Sequence, residues 1–155
     1  MPAPIRYIAV EVGGSHYGLG VDEVQEVVEM RPLTRVFHAP ALLSGLANLR
    51  GDVLPVLDLA EILGEARGAG ATEASIVVVR ERDGQRRRAG LKVDALAGLR
   101  EEPPGGLLPL PPAVAGRLGS LALGVIPESP PCVVLSVSAV FGSPLLADLT
   151  GGSPA

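Results

Sequence analysis

GLANLRGDVLPVLDLAEIL, from Gly45 to Leu63, decides how the rest of the chain is read. Gly45 to Leu49 leads into a cation and a glycine, Arg50-Gly51. Asp52 to Leu59 is then a short apolar run, too short to span a membrane and too β-branched and proline-interrupted for a stable helix, so it predicts a strand. Pro55 has no N–H to give to a ladder and predicts an edge or a bulge. Asp58 predicts the cap of a short helical turn through Leu63, with Gly64 ending it. Arg50 lies between apolar segments, where a guanidinium is costly unless paired. It is either a structural cation held by a carboxylate or backbone carbonyls, or an anchor in a protein interface, where arginine is enriched. The two roles are compatible.

The chain has 155 residues, 47% hydrophobic and 19% charged, which suits one packed domain and argues against disorder. Aromatics are only 3%, so the core must be built from Val, Leu, Ile and Ala. Twenty glycines and 15 prolines favour many short strands and turns. A net charge of −4 argues against a nucleic-acid surface, which needs a basic footprint. The basic cluster Arg80, Arg82, Arg86, Arg87 and Arg88 flanks Asp83-Gly84, a hairpin-turn dipeptide, and reads as a solvated tip or a docking patch for an acidic partner. No apolar run is long enough to cross a bilayer and no secretory leader is recognisable, so a cytoplasmic protein is expected. The one cysteine, Cys132, allows no internal disulfide.

Along the chain, strands are expected over Tyr7 to Val12 and His16 to Val21, joined by a Gly13-Gly14 turn. Asp22 to Val28 reads as a helical turn or a bent strand. Leu33 to Phe37 reads as a short strand, Ala41 to Leu46 as a short helix and Glu65 to Thr72 as a connector. Further strands are expected over Ala74 to Val79, Ala89 to Val93, Asp94 to Leu99, Leu121 to Ile126 and Cys132 to Val137. One helical turn is expected over Ala113 to Leu118, and another capped by Ser138 and ending at Phe141-Gly142.

One plan occurs twice. Gly18-Leu19-Gly20-Val21-Asp22-Glu23-Val24 matches Gly90-Leu91-Lys92-Val93-Asp94-Ala95-Leu96 as G-L-x-V-D-x-[VL], at an offset of 72. Pro55 to Leu63 lines up with Val133 to Phe141 at an offset of 78. Two matches in the same order predict two similar five-stranded lobes, each curling into a small barrel to manage its edges. A groove between them is a natural seat for a partner element. Gly18 and Gly90 are expected to let strands bend, and Asp22 and Asp94 to bond local backbone in turns.

No catalytic constellation is present. His16 and His38 have no sequence-local partner, Cys132 sits in an apolar strand, Lys92 is the only lysine and no phosphate loop or nucleophile elbow occurs. No enzyme activity, catalytic residue, cofactor or metal site is expected, and binding by surface is the default.

These residues resemble a known family. Asn48-Leu49-Arg50-Gly51 followed by Val53 to Leu59 (VLPVLDL) is similar to the signature of CheW-like domains, the coupling proteins of bacterial chemotaxis. Val24-Gln25-Glu26-Val27, Leu33-Thr34-Arg35-Val36, Pro40 to Gly45, Ile76 to Val79 and Gly90 to Leu96 fall where that family places like residues, and the resemblance runs from about Tyr7 to Phe141. It implies an all-β fold of two intertwined five-stranded barrels with one or two short helical turns. The single domain would cover residues 5–142, with lobes at about 5–65 and 72–142 whose end strands can exchange, and a tail over 143–155.

The resemblance also implies a non-enzymatic adaptor. Such a protein couples chemoreceptor cytoplasmic tips to the regulatory domain of a CheA-type histidine kinase and is recruited to the inner face of the membrane through receptor arrays. A receptor helical hairpin would dock between the lobes and the kinase barrel to barrel, with no nucleic acid and no membrane insertion. Carried onto this chain, the partner-facing positions are Val24, Glu26, Val27, Gly45, Arg50, Ile76, Leu96 and Leu99, and Glu26 with Arg50 forms a structural ion pair. If that pair is buried, losing one partner should cost about 3–5 kcal/mol, enough for a loss of binding to be a loss of folding. The second half departs from the family pattern at Ser136-Val137-Ser138 and in the proline-rich loop Pro127 to Pro131. The alternative is a β-barrel peptide- or ligand-binding module of another signalling system, such as a pilus-type array.

Overall fold

The structure is a computed structural model and describes residues 3–66, 74–82 and 87–142. Its elements are β1 (Arg6–Val12), β2 (Ser15–Gly20), a 3-10 turn (Val21–Glu23), β3 (Val24–Glu29), β4 (Leu43–Leu49), β5 (Asp52–Asp58) and α1 (Leu59–Leu63), then β6 (Ser75–Arg80), β7 (Arg88–Val93), β8 (Ala95–Glu101), α2 (Pro112–Leu118), a second 3-10 turn (Gly119–Leu121), β9 (Ala122–Ile126), β10 (Cys132–Leu135) and α3 (Val137–Phe141).

The strands form two five-stranded sheets, as the repeat predicts. The terminal sheet has the order β8-β1-β2-β10-β9 and the central sheet the order β3-β6-β7-β5-β4. They do not divide the chain near residues 65–72. The first hairpin, β1-β2, pairs with the last three strands, while β3 to β5 pair with the second hairpin, β6-β7. The halves are therefore intertwined, and the chain crosses between sheets at Val21-Asp22 and again at Val93-Asp94. These are the two copies of the V-D step in the repeat. Asp94 does not bond local backbone: its Oδ2 accepts from Gly13 N at 2.8 Å and so ties the β7–β8 crossover to the β1–β2 turn.

Both sheets close on themselves through the segment that follows an edge strand. Thr34, downstream of β3, exchanges two backbone hydrogen bonds with Leu46 of β4, at 2.9 and 2.8 Å. Leu108, downstream of β8, does the same with Val125 of β9, both at 2.9 Å. The core is layered accordingly. A small cluster of Ala47, Leu49, Leu54, Val56, Ile76 and Val78 fills the central sheet, and Tyr7, Ala9, Ile126, Cys132 and Val134 fill the terminal one. The largest cluster, including Val10, Leu19, Leu57, Val77, Val79 and Leu91, lies between the sheets under α1 and α3. On β6, Ile76 and Val78 point into the central sheet while Val77 and Val79 point between the sheets. That is why Ile76 to Val79 is continuously apolar: the strand is buried on both faces.

Several local expectations change. Ala41 to Leu46 is not a helix; its residues from Leu43 onward form β4, because pairing with β5 outweighs a modest helix propensity. Leu33 to Phe37 contributes only the single Thr34 bridge. Asp22 to Val28 is a 3-10 turn followed by a strand with a bulge between Val24 and Glu26. Pro55 sits in an interior strand, but β5 pairs with β7 only from Val56 onward, so the missing N–H interrupts no bond on that side. Asp58 caps α1 through Ala60 N at 3.1 Å, and Gly64 ends it at φ 72°. The equivalent cap of α3 is Ser136, not Ser138, donated to by Ala139 N at 3.1 Å. The Asp83-Gly84 turn, most of the connector Glu65 to Thr72 and the tail over 143–155 lie outside the described residues.

Gly18 and Gly90 act through space rather than bending. Gly18 pairs with Val134 and Gly90 with Val56, the second anchors of the repeat. A Cβ on Gly90 would stand 2.5 Å from Ile76 Cγ2, and one on Gly18 would stand 3.2 Å from Cys132 Sγ and 3.3 Å from Tyr7 Cβ. Each glycine leaves room for the side chains that fill its sheet.

Candidate functional site

The Asn48-Leu49-Arg50-Gly51 stretch is the hairpin that joins β4 to β5. Leu49 pairs with Asp52, leaving a two-residue turn with φ of 53° at Arg50 and 90° at Gly51. Positive φ at both central residues matches the right-handed twist of the strands and explains the glycine. Asn48 Oδ1 accepts from Gly51 N at 3.0 Å and holds the turn. Arg50 is thereby aimed across the mouth of the central sheet, where its guanidinium donates two parallel bonds to Glu26, at 2.8 and 2.7 Å. Glu26 belongs to β3 and Arg50 follows β4, the first and last strands of that sheet, so the pair spans the same seam that Thr34 and Leu46 close. The Arg50 side chain is 76% exposed and that of Glu26 20%, so this is a surface clamp and not a buried pair. The double hydrogen bond from Arg50 is the main cause holding the Glu26 carboxyl below its ordinary pKa.

The other expected positions separate by burial. Register makes Val24 the counterpart of Leu96, since they pair with Val79 and Val10, and Val27 the counterpart of Leu99, which pair with Val77 and Ile8. All four lie on edge strands. Val24 and Val27 are half-buried against the core between the sheets, whereas Leu96 and Leu99 are 48% and 61% exposed. Ile76 is buried inside the central sheet. Gly45 is buried too; a Cβ there would stand 2.8 Å from Thr34 O. These two offer no side chain to a partner. The strand of Ile76 was legible and that of Gly45 was not, and an apolar run buried on both faces carries no mark of which residues reach the surface.

One ion pair escaped the sequence reading. Arg100 of β8 pairs with Glu128 at 3.0 Å, which ties β8 to the loop between β9 and β10. It is the terminal sheet's counterpart to the Glu26–Arg50 clamp, with the charges reversed. Two members of the arginine cluster, Arg87 and Arg88, are tied to the fold rather than only solvated. Arg87 binds Glu81 through two side-chain bonds of 2.9 and 3.0 Å and lies over the Phe141 ring at 5.4 Å, while Arg88 reaches Asp52 at 3.0 Å.

Burial pushes the Cys132 thiol up to about 11. Burial, with a bond from its hydroxyl to Glu102 at 2.9 Å, pushes Tyr7 up to about 12. Among the described residues no cluster of His, Cys, Asp and Glu could hold a metal, and no helix is long and apolar enough to cross a membrane.

Comparison with known proteins decides the family. The model of the CheW-like domain matches residues 6–144. The chain belongs to the CheW-like domain family. It is 32% identical to the chemotaxis protein CheW of Rhizobium meliloti, over 77% of this chain and 75% of that one. It is 33% identical to Protein FrzA of Myxococcus xanthus, over 80% and 75%. It is 35% identical to the probable chemotaxis protein CheW of Rhizobium etli, of whose length it spans 57%. The crystal structure of the scaffolding protein TtCheW from Thermoanaerobacter tengcongensis superposes with a TM-score of 0.83, covering 97% of this chain and 96% of that one at 24% identity, a likeness of fold. The double five-stranded architecture is thus shared with a solved scaffolding protein of this family.

Proposed function

We propose that this protein is a non-enzymatic coupling adaptor that links the cytoplasmic helical tips of chemoreceptors to the regulatory domain of a CheA-type histidine kinase. It would be held at the inner face of the membrane through that array. The observation that carries the reading is the pair of equivalent strand edges. Val24 and Val27 on β3, and Leu96 and Leu99 on β8, are the same positions of a repeated unit, and the second pair leaves large apolar side chains in solvent. Exposed leucines at such a place suit a groove-type contact with an apolar helix face. Arg50, exposed on its clamp with Glu26 of β3, supplies a polar rim to the central sheet's edge. Modest contacts suffice, since an array multiplies weak links.

Titration calorimetry against the regulatory domain of a CheA kinase from the same genome tests the kinase link, and co-sedimentation with receptor-bearing membranes tests the receptor link. Micromolar binding to the kinase and retention on the membranes are expected. No heat with any cognate kinase would end the kinase-coupling reading. The alternative, a module of another signalling system, draws on relatives not named for chemotaxis, Protein FrzA and Protein PilI. Retention on chemoreceptor membranes would exclude it.

A further inference from the structure

A trough runs across the ends of β3, β6 and β7 and on to the start of β1, and its first hollow is lined by Gln25, the neighbour of the clamp's Glu26. It is built of three hollows joined end to end. The first, about 320 Å³, is lined by Gln25, Arg80, Glu81, Arg82 and Arg88. The second, about 460 Å³, shares Arg80 and Arg82 with it and adds Val21, Asp22 and Val24. The third, also about 460 Å³, shares Val21, Asp22 and Arg82 with the second and ends among Ile5, Tyr7 and Leu123.

The charge along this trough is graded. At one end stand three guanidiniums. Glu81 is the carboxylate there, and Arg87 already holds it through both oxygens. Arg88 is half satisfied by Asp52. Among the described residues neither Arg80 nor Arg82 forms an ion pair at contact distance, and Arg82 has only the longer-range attraction of Glu23, on a chain whose net charge is −4. In the middle Asp22 and Glu23 reverse the sign. At the far end Ile5 and Leu123 are exposed apolar side chains.

We propose that this trough docks an extended acidic segment of another protein, with its carboxylates on Arg80 and Arg82 and apolar residues over Ile5 and Leu123. Guanidiniums in a fork suit carboxylates. A string of open hollows suits an extended chain rather than a compact ligand. Nucleic acid fits poorly, because Asp22 and Glu23 would repel a continuous phosphate backbone and, among the described residues, Tyr7 is the only aromatic lining side chain. The proposal goes beyond the coupling role and does not depend on it.

Phage-displayed random peptides, panned on the full chain and then resynthesised with a fluorophore, test it by anisotropy. Enriched peptides are expected to carry paired Asp or Glu followed by apolar residues. Arg80→Glu with Arg82→Glu should weaken them by roughly tenfold or more, and higher salt should weaken them further. The same double variant should melt like the parent and keep its kinase binding. Peptides without an acidic bias, or acidic peptides that bind the double variant as tightly, would overturn the proposal. So would retention of the parent chain by phosphatidylserine vesicles in a manner that acidic peptides fail to displace, since the trough would then be serving a lipid surface.

Discussion

Gly45 and Gly124 occupy the same place in the two sheets. Each sits on the edge strand, β4 or β9, beside the residue that closes the ring, and a Cβ on either would collide with the closing segment: 2.8 Å from Thr34 O at Gly45, 2.6 Å from Leu107 Cβ at Gly124. The seam is backbone laid against backbone, and only glycine allows it. Gly45→Ala and Gly124→Ala should each cost about 1–3 kcal/mol, as overpacking does. Thermal melts should fall by roughly 2–4 °C per kcal/mol for a chain of this size. A melt unchanged in either variant would mean that the seam can open without cost.

Gly90 gives a sharper version of that test. Its absent Cβ would stand 2.5 Å from Ile76 Cγ2, whereas the nearest contact at Gly18 is 3.2 Å, from a thiol. Gly90→Ala should therefore destabilise more than Gly18→Ala. Ile76→Ala alone should cost about 2–5 kcal/mol as a large-to-small core change. In the double variant the added methyl occupies part of that space, so the two losses should sum to more than the measured total. Strict additivity in denaturant melts would show that Ile76 is not what Gly90 accommodates.

What the sequence disclosed follows from the range of the forces involved. The G-L-x-V-D repeat was legible because its glycines, crossovers and caps are local necessities repeated twice. The intertwining of the halves came from the family resemblance and not from the repeat, because which hairpin joins which three strands depends on contacts between residues such as Gly18 and Val134, far apart in the chain. The misreading of Ala41 to Leu46 has the same origin: short apolar segments take the structure that their partners offer. The Glu26–Arg50 pair came from family resemblance. Its exposure did not, since an arginine between apolar runs reads as buried until the turn at Arg50 and Gly51 is seen to project it outward.

That projection sets how the clamp should respond to acid. Arg50 lowers the Glu26 carboxyl in the folded chain. A depressed carboxylate pKa means stability that is present above the unfolded value and is lost as pH falls through the folded value. The denaturant midpoint of the parent should exceed that of Arg50→Ala at neutral pH, by a small margin because the pair is exposed. The difference should vanish in acid below the lowered Glu26 pKa and shrink in high salt. A gap that persisted there would assign Arg50 a role apart from its charge.

Cys132 should behave as an inert thiol. It is buried in β10 with its pKa pushed up to about 11, so at pH 8 almost none is thiolate. Native protein should react with a chromogenic disulfide far more slowly than denatured protein, and the native rate should rise with denaturant as the chain opens. Prompt labelling of the native state would contradict the closed terminal sheet.

Val27 and Leu99 separate folding from binding. They are register equivalents, yet Val27 packs against the core between the sheets and Leu99 is 61% exposed. A carboxylate at Val27 must be desolvated or must break that packing, so Val27→Asp should lower the melting temperature. Leu99→Asp adds a charge where water already reaches, and its melt should match the parent within about 0.5 kcal/mol. If the β8 edge is the receptor-facing surface, Leu99→Asp should nevertheless lose retention on receptor membranes while keeping its calorimetric signal with the kinase. Intact retention by a fully folded Leu99→Asp would move the receptor contact off β8. Because this variant changes no core contact, that loss could not be ascribed to misfolding, as it could be for Val27→Asp.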